Sequence, residues 1–310
     1  INTHQNCANF GQKRSLLLGL PEYIMRLNKN EIKEDFFMRL GVLVNLDSEE
    51  IEEKFSQLHE MGFKSCQLCC WRQRLMTEEI AEKIKGYCEK YDVSISTFWC
   101  GWSGPQAWNF YDGPLTLGLV PAEYRFERMK ELMHGSDFAK MLGVENIATH
   151  AGFLPEVPAS EQYRSTVAAL RKVAEHVKDN GQYFLFETGQ ETPVTLRRTI
   201  EDIGTENLGI NLDPANLIMY GKANPIDALD VFGEYVRDVH AKDGCYPTDG
   251  HNLGEEKPLG EGKVNFPEFV KKLKEVGYDG ALTIEREISG EKQIADIKAA
   301  KILLGKLMED

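Results

Sequence analysis

From residue 36 onward, short apolar runs alternate with longer segments in which apolar residues recur every three or four positions. The runs are "FFMRLGVLV" (36–44), "SCQLCC" (65–70), "VSISTFW" (93–99), "ENIATH" (145–150), "YFLFE" (183–187), "LGINLD" (208–213), "YVRDVH" (235–240) and "GALTIE" (280–285). Their length and apolar character predict strands buried on both faces. Between them, "DSEEIEEKFSQLHEMG" predicts a helix capped by Ser48, with Ile51, Phe55 and Leu58 on one face and a stop at Gly62. "TEEIAEKIKGYCEKY" repeats the device from Thr77. Further helices are expected over 122–142, 159–180, 266–277 and 291–308, with short ones near 193–201 and 225–233.

Eight strands alternating with helices close naturally into a parallel (β/α)8 TIM barrel, an α/β fold of about 250 residues. A doubly wound open sheet is the competitor, and it would carry a glycine-rich phosphate loop after an early strand. None is present. Residues 35–310 are therefore expected to form one barrel domain and residues 1–34 an N-terminal extension.

Composition narrows the partners. A net charge of −13, with no dense lysine and arginine cluster, argues against nucleic acid. No apolar stretch reaches the roughly 18 residues of a membrane span. Seven cysteines without a regular framework suggest free thiols and a cytoplasmic setting, although a chain beginning at Ile1 is also compatible with removal of an export signal.

The later strands end on His150, Glu187, Asp213, His240 and Glu285. In a (β/α)8 barrel the C-terminal strand ends converge on one face. Carboxylates gathered there repel one another and lose hydration, so a cation is expected among them. Three carboxylates with one imidazole (Glu187, Asp213, Glu285 and His240) suit Mn2+, Mg2+ or Co2+, with Zn2+ also compatible.

"FLFETG", "LGINLDPAN", "VHAKD" and "LTIERE", in that order on strands five to eight, resemble the xylose isomerase-like TIM-barrel superfamily. The likeness is to the sugar phosphate isomerases and epimerases that include ketose 3-epimerases and inosose dehydratase. It implies that Glu187, Asp213, His240 and Glu285 hold one catalytic divalent ion. It also implies that Glu187 and Glu285 act as acid and base on opposite faces of a sugar or keto-sugar, through an enediolate. Two positions depart from the epimerase pattern. Asn216 stands where Asp-x-x-His would place a substrate-contacting histidine, and Lys242 and Asp243 stand where an arginine is usual.

His150, Asn216, Lys242, Asp243, Arg286, Trp99 and Trp102 are the expected substrate contacts, the tryptophans as faces for a sugar ring. His251 joins them from the long loop "DGCYPTDGHNLGEEKPLGEGKVNF", where Asp249 and His251 also have the spacing of an additional zinc pair. The expected partner is a small carbohydrate. Relatives of this kind also associate as homo-oligomers through barrel faces. Three other functions compete: a lyase or dehydratase using the same ion, an endonuclease IV-like phosphodiesterase, and a non-catalytic sugar binder.

Overall fold

The computed structural model describes residues 38–309. The expected extension 1–34 and its boundary lie outside the described residues. Eight parallel strands close a barrel: β1 (Arg39–Asn45), β2 (Ser65–Cys70), β3 (Ser94–Cys100), β4 (Asn146–Thr149), β5 (Tyr183–Glu187), β6 (Leu208–Leu212), β7 (Val236–Ala241) and, after a short antiparallel ladder of β8 (Asp243–Gly244) and β9 (Glu256–Lys257), β10 (Ala281–Ile284). Residue 41 pairs with both 65 and 283, so β1 joins the first hairpin-free crossover to the last and shuts the sheet.

The helices are α1 (Glu52–Glu60), α2 (Glu78–Tyr91), α3 (Gly113–Thr116), α4 (Ala122–Leu142), α5 (Glu161–Asp179), α6 (Pro193–Ile203), α7 (Pro214–Met219), α8 (Pro225–Phe232), α9 (Phe266–Glu275) and α10 (Glu291–Glu309). Their apolar faces pack on the outward side chains of the strands to form the main core, in which Phe98, Phe138, Phe184 and Phe186 are fully or almost fully buried. A second, smaller apolar cluster of Cys69, Trp99, Ala148 and Leu185 fills the barrel interior. Successive strand residues alternate between these two environments. That alternation is why Leu185 faces inward and Glu187, two residues on, does so too.

Helix starts mostly follow local rules. The Thr77 hydroxyl accepts from the Ile80 amide and opens α2. Ser48 does not cap α1, which begins after Ile51 with no side-chain cap; the Ser48 hydroxyl instead donates to the Glu50 carbonyl. The six described cysteines, Cys66, Cys69, Cys70, Cys88, Cys100 and Cys245, are free thiols. Among the described residues no helix is long and apolar enough to cross a membrane.

Truncation separates these two hydroxyls: Thr77→Ala is expected to lower unfolding free energy by about 1 kcal/mol, whereas Ser48→Ala should change it by less than about 0.5 kcal/mol. Urea denaturation of the two variants measures both.

Candidate functional site

The inward alternation brings the last inward side chain of five strands to one mouth. Glu187 ends β5, His240 lies in β7, and His150, Asp213 and Glu285 follow β4, β6 and β10 directly. Glu187, Asp213, His240 and Glu285 each offer a ligand atom, all within 4.8 Å of one another. His240 Nδ1 lies 3.0 Å from Glu285 Oε2, 3.3 Å from Glu187 Oε1 and 4.0 Å from Asp213 Oδ2.

Two amides deeper in the barrel set the orientation of this group. Gln67, in the middle of β2, donates through Nε2 to Asn211 Oδ1 at 3.2 Å, and Asn211 Nδ2 donates to Glu187 Oε2 at 3.2 Å. That leaves Gln67 Oε1 facing His240 Nε2 at 2.5 Å. An amide oxygen can only accept, so Nε2 carries the hydrogen and the Nδ1 side of the ring is turned to the carboxylates. Trp99 Nε1 also donates to Glu187 Oε2.

Asp213 serves two ends at once. Its Oδ1 accepts from the Asn216 amide at 2.9 Å and caps α7, whose first residue is Pro214. Its Oδ2 is left facing the cluster. Asp213 Oδ2, His240 Nδ1 and Glu285 Oε2 are all buried without a hydrogen-bond partner. Buried polar atoms are rarely unpaired, and two carboxylate oxygens with an imidazole nitrogen that can give up its proton, all turned on a common space, fit a divalent cation.

The electrostatics agree. Burial, reinforced by Glu285 and Glu187, pushes the Asp213 carboxyl up to about 7 against the pull of Lys242 and His240. Burial opposes ionisation of Glu285 as well, but Lys242 and His240 outweigh it and hold that carboxyl far below its usual range. Glu187 is lowered in the same way, burial being overcome by His240 and His150. For His240, burial is overcome by the Glu187 and Glu285 carboxylates, and its pKa rises well above the ordinary imidazole value. Burial, with the nearby Lys242 charge, keeps His150 low despite Glu187.

A cavity of about 730 Å³ opens over the cluster, and Trp99, His150, Asn216 and Arg286 line it with Glu187, His240 and Glu285. His150 Nε2 lies 3.4 Å from Glu187 Oε1, and Asn216 Nδ2 lies 3.5 Å from the same oxygen. Arg286 is held by Glu256 at 2.9 Å and Asp296 at 2.8 Å.

Four expected contacts sit elsewhere. Trp102 is fully buried beneath the Arg128 guanidinium, 3.9 Å from the ring, and packs the loop after β3 rather than lining the cavity. Asp243 spends its carboxylate on the backbone amides of Gly244, Gly260, Gly262 and Val264, so it organises the long loop after β7. Close approach there requires glycine, since a Cβ on Gly262 would stand 2.1 Å from Asp243 Oδ1. Lys242 is buried behind the carboxylates, 3.5 Å from Asp213, 3.4 Å from Glu285 and 2.7 Å from Glu287. His251 is exposed and stacks on Tyr111. Its amide is taken by Asp249 Oδ1 at 2.7 Å. The Asp249 and His251 pair thus forms a turn, and the quartet is the one group of three or more metal-ligating side chains among the described residues.

Gln67, Asn211, Trp71 and Trp108 complete the surroundings. The first two were visible in the sequence as amides inside otherwise apolar strands, which must find partners.

Residues 55–303 match the family described as xylose isomerase-like TIM barrel. An uncharacterised protein of Methanocaldococcus jannaschii is 31% identical over 286 residues, 88% of this chain and 90% of its own. The crystal structure of a xylose isomerase domain protein from Planctomyces limnophilus is similar with a TM-score of 0.82 and 34% identity, covering 87% of this chain and 97% of that one. A 3-keto-D-glucoside 4-epimerase from E. coli shares the fold at a TM-score of 0.66 and 18% identity, over 87% and 99% of the two chains.

A proton on His240 and the Asp213 carboxyl, pushed up to about 7, would both compete with a cation at the quartet. Both competitors weaken as pH rises, so affinity for Mn2+ is expected to increase from pH 6 to pH 8 by about tenfold or more. Competition against a fluorescent chelator at the two pH values checks the sign and size.

Proposed function

The chain belongs to the xylose isomerase-like TIM-barrel family, and on that premise we propose that it is an isomerase or epimerase of a sugar or keto-sugar. Glu187, Asp213, His240 and Glu285 would hold one divalent ion, Mn2+, Mg2+ or Co2+. The observation that carries this reading is the convergence of Asp213 Oδ2, His240 Nδ1 and Glu285 Oε2, buried without a hydrogen-bond partner, beside a cavity that His240 and Glu285 line. When bound, such an ion supplies Lewis acidity that weakens the C–H bond beside a carbonyl.

Glu187 and Glu285 are the proton-transfer pair. Both are held ionised by neighbouring cationic groups. Either can therefore accept a proton from carbon, while the C–H electron pair moves toward the carbonyl oxygen and gives an enediolate; the other, having taken a proton from solvent, returns one to the opposite face as the carbonyl re-forms. The two side chains come from β5 and β10, three strands apart around the barrel. They address a bound carbon from different sides, as inversion at that carbon requires. Trp99 and Asn211 fix Glu187 Oε2, and Asn216 steadies Oε1. His150, neutral at pH 7, is placed to hydrogen-bond a substrate hydroxyl or relay the proton held by Glu187. Lys242 stands behind Asp213 and Glu285 as a fixed counter-charge and does not line the cavity.

The test is solvent exchange. Protein stripped with chelator and restored with Mn2+, Co2+ or Mg2+ singly is expected to introduce deuterium next to the carbonyl of a ketose or keto-sugar. Glu187→Gln and Glu285→Gln should each slow that exchange by about 10²–10⁴-fold. No exchange across a broad panel removes the proposal. An unsaturated, ultraviolet-absorbing product in place of exchange would move the assignment to a lyase.

A further inference from the structure

The cavity is larger than a single sugar ring needs, and its charged lining is mainly acidic. Its volume, about 730 Å³, lies in the upper part of the range that encloses drug-sized ligands, whereas one sugar ring is only a fragment of that size.

Aromatic rings climb from the carboxylate cluster to the mouth. Trp99 touches Glu187 through its indole nitrogen and is 4% exposed. Trp71 packs on it with ring centroids 4.9 Å apart. Trp108 lies 5.1 Å from the His150 ring and 6.3 Å from Trp71, and is 39% exposed. A ring held at Glu187 and Glu285 would cover Trp99 and leave Trp108 facing water. The other wall carries the uncharged polar side chains of Asn45, Ser289 and Gln293, which suit hydroxyl groups.

Charge is the second, separate observation. A phosphate brings about −1.5 to −2 charges at pH 7 and needs arginine or lysine to replace its water. Arg286 is the only arginine or lysine lining the cavity among the described residues, and its Nη1 and Nε lie against the Glu256 and Asp296 carboxylates, which offset its charge. Lys242 is bound to Glu287 and faces Asp213 and Glu285. Glu187, Glu285 and Glu287 meanwhile border the same space. An anionic substituent placed there would meet carboxylates and no uncommitted cation.

We infer that the substrate is an uncharged sugar bearing a second ring, a neutral glycoside, whose outer ring lies against Trp108 and Trp71. The inference rests on the proposed sugar chemistry of the same cavity and names the class it takes. Three ketoses probe it on the full-length, Mn2+-loaded protein by isothermal titration calorimetry: D-fructose, isomaltulose, which carries a glucosyl group on O6 of fructose, and fructose 6-phosphate, which carries a phosphate there. Isomaltulose is expected to bind about tenfold tighter than either of the others, the effect of one or two added aromatic contacts. In Trp108→Ala that advantage should shrink below about threefold, with fructose affinity and melting temperature little changed. Tightest binding by fructose 6-phosphate, equal binding of isomaltulose and fructose, or no binding by any of the three overturns the inference. Deuterium exchange into the same sugars separates the two ideas. Exchange into fructose without preference for isomaltulose defeats only the glycoside, and preference for isomaltulose without exchange in any sugar defeats only the isomerase.

Discussion

Three carboxylates and the Nδ1 side of one imidazole face a common space at the mouth of the barrel, and the rest of the site is arranged around that repulsion. Two like charges 4 Å apart repel by about 4 kcal/mol at the effective dielectric of a protein surface, and Glu187, Asp213 and Glu285 are more buried than that. The polypeptide offsets part of this with Lys242 behind the cluster and with a proton on His240. The divalent ion of the proposed function would answer the remainder more completely, because it would meet all four side chains at once. The Gln67–Asn211 amide pair orients the imidazole, with His240 Nε2 against Gln67 Oε1 and Nδ1 turned to the carboxylates.

The same electrostatic logic extends up the cavity. Among the described residues Arg286 and Lys242 are paired with carboxylates, so acidity dominates the cavity. Packing supplies the rest: Trp99 belongs to the apolar plug of the barrel and to the hydrogen-bonding of Glu187, which joins barrel packing to the position of that carboxylate. The loop after β7 is tied down twice, by Asp243 on its glycine-rich return and by Glu256, which holds Arg286 and the Glu287 amide of the neighbouring loop.

Much of the barrel was legible because buried parallel strands read as apolar runs. Each of the eight expected strands is found within a few residues, and 65–70 and 183–187 coincide with β2 and β5. Some features were missed for local reasons. The one-and-a-half-turn helix α7 is too short for a periodic signal, although Asp213-Pro214 is a capped helix start. The Ser48 pattern resembled a cap, but the chain enters α1 three residues later. Trp102 and Trp99 are three residues apart and could not be assigned to cavity or packing from composition. The position of Arg128, 26 residues further on, decided that Trp102 packs.

The sequence by itself determined which side chains reach the strand ends. Glu187, His240 and Glu285 stand at the C-terminal ends of apolar runs, and the ends of such strands gather on one face of a barrel. What only the tertiary structure decided was how those ends meet. Closure of β1 on β10 sets which strands are neighbours. Interior contacts between residues as distant as Gln67 and His240 set which atom of each group faces its partners. Such contacts join positions far apart in the chain, and no local pattern carries them. The distances among the four side chains, and the pairing of Arg286 and Lys242 with carboxylates, exist only in the folded barrel.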